Sequence, residues 1–201
     1  MGIELKIKEI ILEIEYLLVI TLIAAGISDS IMGFLDKYYI CLLFVIFHEL
    51  SHILLGSLLN KKLLKVFIGL SGMTAFFKYD YMIKDKMYYI KEGLIFLAGP
   101  ISNLIIANIF KDIKFIYEIN IFLAFLNLLP IYPLDGYNIL KTLLTAIFIH
   151  NKYVIYKIVK YISIIFLLLI SIVCVLIFFS YKNVFCIIFL VYVLVININN
   201  K

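Results

Sequence analysis

Residues 38–59 form an apolar stretch interrupted by a single polar cluster, and several stretches like it fill a chain of 201 residues. A run of about 20 apolar residues matches the hydrocarbon thickness of a bilayer, so with their connections there is room for five or six such runs and little else. Only 15% of the residues are charged and 65% are hydrophobic, whereas about 25% charged is usual for globular domains. The charge needed to coat a water-facing surface is missing. A soluble globular fold is therefore excluded, and so is a separate soluble domain of ordinary size. All 18 basic residues are Lys. Without the Arg that bidentate phosphate recognition favours, no nucleic-acid partner is expected.

Hydropathy divides the chain into six candidate spans, at residues 10–27, 38–59, 88–110, 115–129, 159–179 and 184–198. Before the first and into its start, Glu4, Lys6, Lys8, Glu9, Glu13 and Glu15 alternate with Ile and Leu. Four Glu beside two Lys make a poor signal-peptide n-region, so the expectation is an uncleaved first helix. Residues 66–80 break into short apolar pairs around Gly69, Ser71, Gly72 and Thr74. That pattern predicts a hairpin at the membrane surface, between the second and third spans. The expected fold is an all-α membrane protein, a six-helix transmembrane bundle carrying that short β-hairpin, with residues 1–201 as one domain.

Fourteen of the Lys fall in the amino terminus, residues 61–91, residues 141–160 and the carboxyl terminus, against four in the other loops. The positive-inside rule then puts both termini in the cytoplasm of a multi-pass cell-membrane protein. The bias toward Ile, Lys, Asn, Tyr and Phe fits an AT-rich bacterial genome. Cys41, Cys174 and Cys186 lie in apolar runs and form no CxxC pair, which suits core packing.

The polar cluster inside the second span reads His48-Glu49-Leu50-Ser51-His52, an HExxH sequence. An ionisable group near the bilayer centre costs at least about 2.5–3.5 kcal/mol. Three in one helix need a compensating partner, and a divalent metal is the simplest. Residues four apart on a helix differ by about 40° in direction, so His48 and His52 can share one ion. Glu49 lies beside it and suits a base for a metal-bound water. On a soluble helix the same five residues would read as chance; here the two His have no solvent to face.

Two His leave a tetrahedral zinc short of a protein ligand. Asp135 is the best-placed third candidate, because it follows the interrupted sequence from Asn127 through Pro130 and Pro133 to Gly136. Proline breaks the helix, glycine permits a turn, and broken helices at membrane depth are tolerated where they are buried or line a watery cavity. The competing reading of Asp135 is a helix cap for Tyr137 onward. Asn103, after Gly99 and Pro100, reads either as an approach to the site or as a buried amide in a close helix contact. His150 reads as a solvated helix end.

HELSH in one span, Ala98-Gly99-Pro100-Ile-Ser-Asn103 in the next and NLLPIYPLDG further on resemble the site-2 protease family of intramembrane zinc metalloproteases. The resemblance implies that His48, His52 and Asp135 bind one Zn2+ per chain and that Glu49 acts as the catalytic base. It also implies that Asn127 holds substrate or stabilises the oxyanion, for which a neutral amide is suited; a helix–helix hydrogen bond is an equal reading. Only 82 residues separate His52 from Asp135, which leaves no room for the PDZ domain of several relatives. The compact branch typified by stage IV sporulation protein FB fits better, with a sporulation sigma factor precursor as its substrate. That branch carries a nucleotide-sensing CBS domain after its last helix, which is not expected here.

The expected activity is hydrolysis of a peptide bond near the cytoplasmic boundary of a membrane-associated protein substrate. The lipid bilayer and membrane inhibitor or regulatory proteins are the other expected partners. Residues 66–77 could hold the substrate as an added strand. The rival is a non-hydrolytic zinc-binding membrane protein, a transporter or a degenerate scaffold, for which Glu49 would have no use.

Overall fold

A computed structural model describes residues 2–7, 10–15, 32–69, 72–77 and 85–181. The chain falls into two compact units, residues 1–82 with 98–124 and residues 83–97 with 125–201. Among the described residues, three helical stretches are long and apolar enough to cross a membrane: Tyr39–Leu58, Lys86–Ile109 and Ile149–Leu176. The predicted span at 184–198 and residues 16–27 of the predicted first span lie outside the described residues.

The first unit contains a four-stranded sheet in the order β1 (Gly2–Ile7), β2 (Ile10–Glu15), β3 (Leu63–Gly69), β4 (Gly72–Phe77). β1 and β2 pair antiparallel, β2 and β3 parallel, and β3 and β4 antiparallel with a bulge between Leu63 and Lys65. Residues 10–15 are thus strand, which corrects the expectation that the first spanning helix begins at Ile10. The alternation of charged and aliphatic residues has a period of 2, which suits a pleated strand and would scatter the charges around a helix. An all-α fold is corrected with it, because residues 66–77 contribute to two strands of this larger sheet.

α1 (Met32–Leu58) carries the polar cluster. Phe44, His48, His52 and Gly56, spaced by four, are buried, while Leu43, Phe47, Leu50, Leu54 and Leu58 are exposed, Leu54 by 64% and Leu58 by 68%. An apolar outer stripe opposite a polar inner one inverts the soluble pattern and is what a lipid-facing helix requires. The helix stops in a Schellman motif. Asn60 takes a left-handed conformation (φ 63°), its N–H donates to the Ser57 carbonyl at 3.0 Å, and the Lys61 N–H donates to the Gly56 carbonyl at 2.8 Å.

α2 (Lys86–Ile109) is capped by Asp85, whose Oδ1 accepts from the Tyr88 N–H at 2.8 Å. Pro100 sits inside it. Its second half, from Ala98, belongs to the first unit with most of α3 (Lys114–Asn127). At 1.5 Å per residue, the 14 residues of α3 reach about 21 Å. That is short of a ~30 Å hydrocarbon core, so the predicted fourth span is not a full-length one.

The second unit contains α4 (Asp135–Ile147), a 3-10 turn (Ile149–Asn151) and α5 (Lys152–Tyr181). α5 begins seven residues before the predicted 159. Ile155, Val159, Ser163 and Leu167, again spaced by four, are buried. The lysines that seemed to mark a loop lie along its first turns, with Lys157 Nζ 4.5 Å from the centre of the Tyr153 ring. Long Lys stems on a helix end reach for polar surroundings without ending the helix. Tyr137, Ile155 and Val159 form one core cluster with Tyr132, Leu140 and Leu144 around it; Ile131 and Leu167 form another. Cys174 is buried, Cys41 is half-buried, both are free thiols, and Cys186 lies outside the described residues.

Candidate metal centre

Both histidines project from the buried stripe of α1, and neither exceeds 6% exposure. Their Nε2 atoms are 3.2 Å apart with ring planes at 80°. Two nitrogens bound at 2.0–2.1 Å to one tetrahedral zinc would be separated by about 3.3 Å. The pair therefore has the bite that a single ion needs.

Gly99 of α2 provides the facing wall. A Cβ there would fall within 2.6 Å of His48 Cε1 and would collide with Nε2 of both histidines. Backbone therefore comes where a side chain could not, directly over the metal-facing edges of the rings. One turn further, Asn103 Oδ1 lies 2.8 Å from His48 Nδ1. Asn103 Nδ2 donates to Asn120 Oδ1 at 3.2 Å, and Asn120 Nδ2 donates to the Ile116 carbonyl at 2.9 Å. Asn103 and Asn120 are fully buried. Both readings of Asn103 hold: it reaches the site, and it does so as half of a buried amide pair. Asn120 belongs to none of the sequence motifs. Its signal was present as one amide in the apolar run of α3, two turns before Asn127 on the same helix face.

Glu49 follows His48 on α1, about 100° further around the helix, and is half-buried. Asn127 is the last residue of α3 and half-buried. His150 is exposed in the 3-10 turn, as expected of a solvated helix end.

Asp135 is the first residue of α4, and the capping position before it is held by Leu134. Its carboxylate is thus placed in the first helical turn, where the helix dipole favours negative charge, and the N-cap reading fails. The loop leading to it is fully bonded. Leu129 donates to Leu126, Ile131 to Leu129, Leu134 to Ile131, and the Tyr132 N–H to Ser163 Oγ at 3.0 Å. Pro130 and Pro133 have no N–H to satisfy, so every donor from 129 to 134 has a partner. Gly136 does not serve a turn. It is buried and helical, and a Cβ there would run into the carbonyls of Leu128 and Leu129.

His48 and His52 belong to the first unit and Asp135 to the second. Two imidazole nitrogens and one carboxylate are a ligand set that zinc takes with a position open. Among the described residues no buried side-chain nitrogen or oxygen lacks a hydrogen-bond partner.

The sequence profile of Peptidase family M50 matches residues 107–170, which include Asn127 and Asp135. A Methanocaldococcus jannaschii protein named as an inferred zinc metalloprotease is 36% identical over a stretch covering 30% of this chain and 39% of that relative. The chain thus spans about two-fifths of the length of the curated relative it matches. The solved site-2 protease from Methanocaldococcus jannaschii aligns over 99% of this chain and 94% of its own, with a TM-score of 0.62 and 21% identity, which establishes a shared fold. Part of the chain thus carries the profile of Peptidase family M50, and its fold is shared with a solved site-2 protease.

Proposed function

We propose that this chain is an intramembrane zinc metalloendopeptidase in which His48, His52 and Asp135 hold one zinc, Glu49 moves the proton and Asn127 receives the substrate. The observation that carries the reading is the buried His48–His52 pair, whose Nε2 atoms stand 3.2 Å apart under the backbone of Gly99, with Glu49 next to His48 in the chain. A zinc held there supplies a Lewis acid and lowers the pKa of water toward about 7.

Glu49 takes the proton from the attacking water at its carboxylate and returns it to the leaving amine nitrogen, a transfer that its place one residue after His48 allows. The Asn127 amide donates to the substrate carbonyl as negative charge develops on its oxygen. The apolar outer stripe of α1 keeps bulk water from that side of the histidines, which strengthens both interactions. A base with this placement has no task in a metal carrier, which disfavours the non-hydrolytic reading.

The substrate is a membrane-associated protein cut near its cytoplasmic boundary, with a sporulation sigma factor precursor the first to try and membrane inhibitor or regulatory proteins as further partners. Six spans, cytoplasmic termini and a single domain over residues 1–201 complete the proposal, supported by the division of Lys. Co-expression with membrane-proximal substrates tests it: a product that forms equally with Glu49→Gln would defeat the assignment.

A further inference from the structure

The hydrogen bonds behind His48 run in one direction, and the direction is fixed at a group that cannot reverse. A backbone carbonyl only accepts, so the amide atom meeting the Ile116 oxygen at 2.9 Å is Nδ2 of Asn120. Asn120 therefore turns Oδ1 toward Asn103, and the atom meeting it at 3.2 Å must donate. Asn103 in turn presents Oδ1 to His48, and an oxygen acceptor 2.8 Å away requires the proton on Nδ1. A neutral imidazole has one such proton. Nε2, on the edge facing His52, then carries the lone pair.

We propose that Asn103 and Asn120 are positioning residues for the metal. They lock His48 in its Nδ1–H tautomer, using the Ile116 carbonyl as reference, so that Nε2 is a ready donor before zinc arrives. Both amides are fully buried, so no water competes to turn them. Reversing Asn103 alone would set its NH2 against Nδ1 and push the proton onto Nε2, which closes that position to a metal. Reversing Asn120 would set Oδ1 against the Ile116 oxygen. Each amide is held by the next, and the last is held by the backbone of α3.

Two amides joining α2 to α3 could instead serve packing alone, and the two roles separate experimentally. The inference rests on His48 being a zinc ligand, which His48→Ala tests separately through zinc content. The relay itself is read in the zinc-free full chain by 15N NMR of imidazole-labelled protein, which contains three His. Zinc affinity is read by competition with a chelator. The unmodified chain should show His48 as the Nδ1–H tautomer.

Asn120→Leu frees the Asn103 amide to turn, so it should give a mixture of tautomers and a zinc affinity about 10–100-fold weaker. Adding Asn103→Asp to that variant supplies an oxygen whichever way it turns, and should restore the tautomer and bring affinity back to within about threefold of the unmodified chain. Asn120→Asp, held as the neutral acid by burial, donates its O–H to the Ile116 carbonyl and accepts from Asn103 with its other oxygen, so it should keep both properties, which covers the case where Leu disturbs the helices. An unchanged tautomer in Asn120→Leu, or a double variant or Asn120→Asp as weak as Asn120→Leu, would overturn the proposal.

Discussion

Gly99→Ala is the smallest change that should empty the metal centre. The added methyl carbon would lie 2.5 Å from His48 Nε2, whereas an ordinary carbon–nitrogen contact needs about 3.4 Å. Either the imidazole or α2 must therefore yield by about 0.9 Å, while metal–ligand distances tolerate only about ±0.2 Å. The methyl meets His52 Nε2 as well, so one rotation cannot relieve both. We expect zinc affinity to fall at least about 100-fold, or about 2.8 kcal/mol at 1.4 kcal/mol per decade. Helix propensity argues the other way, because Ala is about 1 kcal/mol better than Gly in a helix interior. Chelator competition on the purified chain measures the effect. Gly93→Ala on the same helix is the control, since the Cβ there would meet Thr142 Oγ1 at 3.0 Å, away from the histidines. Zinc affinity unchanged by Gly99→Ala, with stability equal or higher, would show that the backbone does not approach the rings as described.

Three further outcomes are expected. Glu49→Gln should retain zinc and fold while cleavage drops by at least about 100-fold, since the shape stays and the base is lost; elemental analysis beside a cleavage blot reads both. Asp135→Asn should weaken zinc binding as well as activity, because the charged ligand is gone while the helix start is kept; equal zinc content at limiting metal would remove Asp135 from the ligand set. Cys placed at Lys62, which is exposed beyond the end of α1, in a chain lacking its native Cys, should react with an impermeant reagent only after cells are opened. Labelling of intact cells there would invert the proposed orientation.

The histidine pair was legible because polar atoms in an apolar run have few explanations, and Asp135 because two prolines and a glycine surround it. What sequence could not supply was the reason for particular positions. Gly136 looked like a turn and proved to be a place where no Cβ fits. Asn120 looked like one amide in an apolar helix until its partner from residue 103 was known. At the chain start, aliphatic content suggested a helix from Ile10, and the period-2 alternation that marks a strand was the better guide. The lysines of α5 conceal its beginning because frequent charge resembles a loop, although the buried stripe from Ile155 has the helical spacing.

The parallel pairing of β2 with β3 has a consequence for how the chain is made. Ile11 finds its neighbour in Lys65, which leaves the ribosome about fifty residues later, several seconds at ~5–20 residues per second. A two-stranded ribbon such as β1–β2 is marginal by itself in water, and its remaining edge stays open until α1 has been delivered to the bilayer. β3 and β4, close in sequence, can pair as they emerge. The sheet is therefore completed by its earliest-made strands joining last. A pause in translation after α1 would lengthen the interval in which that open edge can capture another nascent chain.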